Sequence, residues 1–167
     1  MSRRKSPARL AIDILIASDR WRGTPGAAKA VRRAVTAAAA AVSPRAGELA
    51  IVLTDDSAIR TLNRQWRGKD EPTNVLSFPA AEPQPDTPVV LGDIVIAYQT
   101  AAREALAEGK PFMHHLAHLA VHGFFHLLGY GHETAKEARV MEALETTVLA
   151  RLAVPDPYRR RDRKRQT

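Results

Sequence analysis

The chain has 167 residues, 45% of them hydrophobic, and no cysteine; this suits one domain with its own core and excludes disulfides and thiolate ligands, as in a reducing compartment. No apolar run approaches the ~20 residues of a membrane span, and the opening MSRRKSPARL leads into a strand pattern rather than a signal-peptide core, so a soluble cytoplasmic protein is expected. The net charge of +7 divides into +4 for residues 1–9, +5 for residues 158–167 and −2 for residues 10–157, so the basicity lies in the two ends and the body is near neutral.

Residues 1–9 are therefore expected to be a basic N-terminal arm and 158–167 a basic disordered tail, able to hold phosphates by counterion release or to serve solubility alone, around one domain at 10–157. Residues 9–17 (RLAIDILIA) alternate at first as a strand does. Thr24-Pro25 then starts an alanine-rich helix that Ser43-Pro44 stops. Residues 48–54 (ELAIVLT) form a second strand. Asp55 or Asp56 caps a helix with Ile59, Leu62 and Trp66 at core spacing, ended by Gly68. Residues 73–78 (TNVLSF) read as a short third strand, 80–88 as an irregular proline-containing loop, and 91–97 (LGDIVIA) as a fourth strand. Three helices follow: 100–108, about 112–128, and one that a Thr134/Glu137 capping box opens and Pro155 ends. The order predicts an α+β domain, one small sheet of about four strands and about five helices, with the histidine-bearing helix at its centre.

That helix carries His122 and His126, four residues apart and hence on one face, where they can share a metal ion. Gly129 can take the positive φ that ends a helix and returns the chain so that His132 reaches the same point. Three imidazoles leave a fourth position open, the ligand set of a catalytic zinc site, and one Zn2+ per chain is expected at His122, His126 and His132, although nickel, cobalt or copper would fit the same ligands. His118 lies eight residues from His126, about 12 Å along the axis, and is assigned to the rim or to a supporting place behind the ligands; His114 and His115 are expected to be exposed. The spacing also fits the metzincin signature HExxHxxGxxH, except that Gly123 stands where its glutamate belongs, so a zinc metallopeptidase is the weaker reading.

Three blocks, LNRQWRGKDEPTNVLSFP (62–79), LGDIVIA (91–97) and HGFFHLLGYGH (122–132), resemble in order and spacing those of the YbeY endoribonucleases, bacterial rRNA maturation factors, over roughly residues 45–158. The resemblance implies a mixed sheet with surrounding helices and a single-strand-specific, metal-dependent endoribonuclease. It further implies a role in 3′-end maturation of small-subunit (16S) ribosomal RNA and in ribosome quality control. The partners would be single-stranded RNA, ribosomal RNA and the small ribosomal subunit, with no membrane or DNA partner. It places the zinc on His122, His126 and His132 and a functional arginine on Arg67. Members often carry an acid in the turn, GYDH, where this chain has Gly131.

On its own chemistry, Arg67 is either a surface arginine near a helix C-terminus or a second cation whose planar fork suits two phosphate oxygens, at a helix end where it can project over a cleft. The nucleophile is a water or a ribose 2′-hydroxyl. Asn74 and Ser77 could line the cleft or satisfy sheet backbone, Asp93 could steady a ligand histidine or serve the strand, and Glu133 could be a base or a helix-start acid. A ribosome-assembly factor with a structural metal is the non-catalytic alternative.

Overall fold

The computed structural model describes residues 10–42, 46–82 and 84–159. Strands β1 (Leu10–Ile16), β2 (Gly47–Thr54), β3 (Val75–Pro79) and β4 (Val90–Ala97) form one sheet in the order β1-β2-β4-β3. β1, β2 and β4 run parallel, and β3 pairs antiparallel with β4 at the edge. Helices α1 (Ala27–Val42), α2 (Asp56–Arg67), α3 (Tyr98–Glu108), α4 (Phe112–Leu127) and α5 (Ala135–Arg151) cover the sheet.

The alternation of β4 divides the core. Ile94 and Ile96 face the larger cluster with Val31 and Val35 of α1, Leu116 and Phe124 of α4, and Val148 of α5. Val95 and Ala97 face the smaller one with Ile59 of α2. Strands covered on both faces are apolar at consecutive positions, which is why β4 reads IVIA rather than alternating. The large layer owes its closeness to alanines: Ala27, Ala34 and Ala38 of α1 are at most 1% exposed, and α1 packs against α4.

The order of elements is the one read from the sequence, while several edges move. α1 begins at Ala27, not at Thr24-Pro25, because Ser18 caps a short 3-10 turn at Asp19–Gly23 and Thr24 ends it. That turn buries Trp21, whose Nε1–H donates to the Thr54 carbonyl at 2.8 Å; five residues carry no periodicity from which to foresee it. Trp66, expected in the core, is 63% exposed, its ring edge-on to Phe78. Asp55 is the cap of α2, accepting from the Ala58 N–H at 2.9 Å, and Thr134 Oγ1 accepts from the Glu137 N–H at the start of α5. Tyr158, placed at the head of the tail, hydrogen-bonds Glu145, so the folded body extends past residue 157. The basic arm 1–9 and residues 160–167 lie outside the described residues. Among the described residues no helix is long and apolar enough to cross a membrane.

Candidate metal centre and cleft

α4 is buried on most sides, with Leu116, Ala120, Val121, Phe124 and Phe125 each 0% exposed. Its histidines share the remaining stripe. One flank presses on β3 and β4 so closely that a Cβ on Gly123 would stand 2.9 Å from Ile94 Cγ2 and 3.2 Å from Ser77 Oγ. Ser77 Oγ–H donates to the Gly123 carbonyl at 2.8 Å, tying the edge strand to the helix. The residue after His122 thus faces the sheet, and a glutamate there could not reach the histidine stripe.

Gly129 has φ 94°, and the Tyr130 N–H donates back to the Phe125 carbonyl at 3.1 Å. This turn brings His132 to the last turn of α4. Ring nitrogens of His122, His126 and His132 lie within 4.8 Å of one another; the Nε2 atoms of His122 and His126 are 3.0 Å apart. Burial first, then the neighbouring His122 and His132, pushes His126 down to about 4, against a weaker pull from a Tyr130 backbone hydrogen bond. At neutral pH its ring nitrogen keeps its lone pair.

Arg67 ends α2 immediately before Gly68, which takes the left-handed C-cap with φ 69°. Its Nη2–H donates to the Ser77 carbonyl at 3.0 Å, so the guanidinium reaches the edge strand and lines one cleft of about 720 Å³ with His126 and His132. Glu133, Lys136 and Glu137 line the same cleft. A Cβ at Gly131 would meet Glu137 Oε2 at 3.4 Å, so the turn that lacks an acid has one beside it.

The sequence reading missed Glu145. It lies on α5 and is 0% exposed, with Met141, Val148 and Leu149 on the same stripe. Oε1 accepts from His122 Nδ1 at 2.7 Å, and Oε2 from His118 Nε2 at 2.7 Å and from the Tyr158 hydroxyl. Burial would raise its pKa, yet the hydrogen bonds from His118 and His122 outweigh it and hold the carboxyl down to about 2. A charge at a core position of a helix was the available signal, since carboxylates are almost never buried without partners.

Other candidates sort by place. His118 takes the place behind the ligands rather than the rim: with His122 and Glu145 it forms a second group within 4.8 Å. His115, expected to be exposed, is 4% exposed and pairs with Glu104 at 3.0 Å, and His114 is half-buried. Burial would raise the Glu104 pKa, but hydrogen bonds from His115 and Asn74 lower it. Asn74 donates to Glu104 at 2.9 Å and accepts from the Val75 N–H, a structural role. Asp93 and Glu133 are exposed.

The family model described as endoribonuclease YbeY matches residues 18–153. An endoribonuclease YbeY of Rhodopseudomonas palustris is 58% identical, the match covering 93% of this chain and 85% of that protein. One from a Bradyrhizobium species is 56% identical over 90% of this chain and 94% of its own. A Thermotoga maritima protein solved in solution shares the fold with a TM-score of 0.52 at 23% identity, covering 85% of this chain and 91% of its own. Matched over most of its length by sequence and in fold, this chain belongs to the endoribonuclease YbeY family.

Proposed function

We propose that this chain is a zinc-dependent, single-strand-specific endoribonuclease, with one Zn2+ on His122, His126 and His132 and Arg67 as the cation at the scissile phosphate. The observation that carries the reading is the meeting of three ring nitrogens within 4.8 Å, beside a cleft that Arg67 shares with two of the three rings. The donor set fits the ion. Tetrahedral zinc at ~2.0–2.1 Å from each nitrogen sets ligands roughly 3.3 Å apart, close to the 3.0 Å between the Nε2 atoms of His122 and His126. Neutral imidazoles with no thiolate suit zinc over softer ions.

Bound there, the metal would polarise a phosphoryl oxygen and activate the nucleophile. The chain's own groups do the rest. Arg67 offers two parallel N–H donors to phosphate oxygens and offsets the charge that grows on them as the P–O bond breaks. Its tie to the Ser77 carbonyl fixes the guanidinium before substrate arrives. Lys136 places a second cation in the same cleft, between the acids Glu133 and Glu137. The buried environment of His126 keeps its nitrogen unprotonated down to about pH 4.

The same reading takes ribosomal RNA as substrate, with 16S 3′-end maturation and ribosome quality control on the small subunit in the cytoplasm as its setting. The basic segments at 1–9 and 158–167 would flank the domain as phosphate-holding arms. A zinc-loaded sample offered a single-stranded RNA, the same sequence as a duplex, and casein tests it. Cleavage of the single strand alone is expected; cleavage of casein, or of none of the three, contradicts it.

A further inference from the structure

The structure assigns Glu145 as the positioning residue of the metal centre: it holds His122 in the tautomer whose Nε2 faces the metal, while His118 and Tyr158 hold the carboxylate. This rests on the three-histidine metal site of the proposed function.

Glu145 has a side chain 1% exposed, deep among apolar residues of α5. An ionised carboxylate can only accept hydrogen bonds. Its Oε1, 2.7 Å from His122 Nδ1, therefore requires the proton on that nitrogen. The other ring nitrogen, Nε2, is left with its lone pair, and it is the atom 3.0 Å from His126 Nε2. A histidine ligand with its far N–H on a carboxylate is fixed in ring orientation and made a stronger donor.

The carboxylate is held in turn. Oε2 takes His118 Nε2 at 2.7 Å and the Tyr158 hydroxyl, so each oxygen has a partner that sets the plane of the group. Tyr158 reaches it from beyond α5, where Asp156 Oδ1 accepts from the Tyr158 N–H at 2.8 Å. The His118 ring lies edge-on to both Tyr158 and His122. Four side chains from α4, α5 and the following segment thus converge on the orientation of one imidazole. Although His118, His122 and Glu145 could hold a cation themselves, both oxygens of Glu145 already have donors in place, which favours orientation over ligation.

The test uses the full chain and zinc alone, titrated against a chromophoric chelator, for wild type, Glu145→Gln, Glu145→Asp, Tyr158→Phe and His126→Ala. Folding is followed by circular dichroism and ring tautomers by long-range proton–nitrogen NMR. Expected are one zinc in the wild type with His122 protonated on Nδ1, and binding about 10–100-fold weaker in Glu145→Gln. Glu145→Asp, which keeps the charge, should recover part of that loss, and Tyr158→Phe should weaken binding less than Glu145→Gln does. The proposal is overturned if Glu145→Gln holds zinc as tightly as wild type. It is also overturned if the wild type takes two zinc ions and Glu145→Gln one, which would make Glu145 a ligand. Should Glu145→Gln not fold, unchanged affinity in Tyr158→Phe or a wild-type His122 protonated on Nε2 overturns it. Undiminished zinc binding in His126→Ala instead overturns the three-histidine site itself, and this proposal with it.

Discussion

Arg67 belongs to a helix on one face of the sheet, yet it lines a cleft with His126 of a helix on the other and with His132 of the turn that follows it. The bond to the Ser77 carbonyl explains how: the side chain turns round the edge strand and is held there. Lysine has a point charge and no fork, so Arg67→Lys should lower single-turnover RNA cleavage about 100-fold or more while zinc content stays at wild type. Metal analysis and cleavage on the same preparation check both halves. At this scale the sequence was most legible where spacing alone decides geometry. His122 and His126 share a helix face by their separation, and Gly129 announces the turn that returns His132. It was least legible where a partner comes from elsewhere in the chain. Nothing near His115 says that Glu104, on the preceding helix, will meet it in the interior, and the core stripe of α5 marks Glu145 as unusual without naming its partners on α4 and beyond α5.

Between elements, two contacts set how the helices sit. Gly123 lets α4 approach β3 and β4, and a methyl there would press on Ile94, Ser77 and Val75 at 2.9–3.2 Å. Gly123→Ala should therefore cost about 1–3 kcal/mol of stability by overpacking, despite the better helix propensity of alanine, as read by chemical denaturation. The second contact joins the starts of α2 and α3. The Asp56 N–H donates to Gln99 Oε1, and the Asp56 carboxylate accepts from the Thr100 N–H and hydroxyl and from Arg103. Burial would raise the Asp56 pKa, but the bonds from Arg103 and Thr100 outweigh it and lower it from 3.8. Below pH 3.8 the unfolded carboxyl takes a proton that the folded one refuses, so this contribution is present above that pH and is lost as pH falls through the folded value. Asp56→Asn should lose about 1 kcal/mol at pH 7, since Arg103 is largely exposed, and show a shallower loss of stability on acidification below pH 4. Denaturant titrations from pH 7 to pH 3 measure it. The existence and order of these elements were legible from apolar periodicity and caps. The 3-10 turn was not, because its structure depends on Trp21 reaching the distant Thr54 carbonyl, and Trp66 was misplaced because helical spacing marks a stripe without saying whether anything covers its end.

For the molecule as a whole, charge and chemistry are separated: the near-neutral body carries the site, and the ends carry the basicity. Residues 160–167 hold five basic side chains and one acid. If they grip RNA, deleting them should reduce the slope of log affinity against log salt by about 3 for a single strand, with zinc content unchanged; an unaltered slope would leave them a solubility role. Family resemblance implied a mixed sheet and no more; the pairing of three parallel strands with an antiparallel edge was not legible, because strand order is set by contacts far apart in the chain. The central claim, that three histidines hold a catalytic metal beside Arg67, is tested most directly by zinc content and cleavage of single-stranded RNA on one purified sample. Wild type, His126→Ala and Arg67→Ala are compared, each shown to be folded by circular dichroism. The predicted result is one zinc and cleavage in the wild type, neither in His126→Ala, and zinc without cleavage in Arg67→Ala. If all three are folded and bind RNA while none cuts it, the catalytic account is wrong and the protein is an RNA-binding factor.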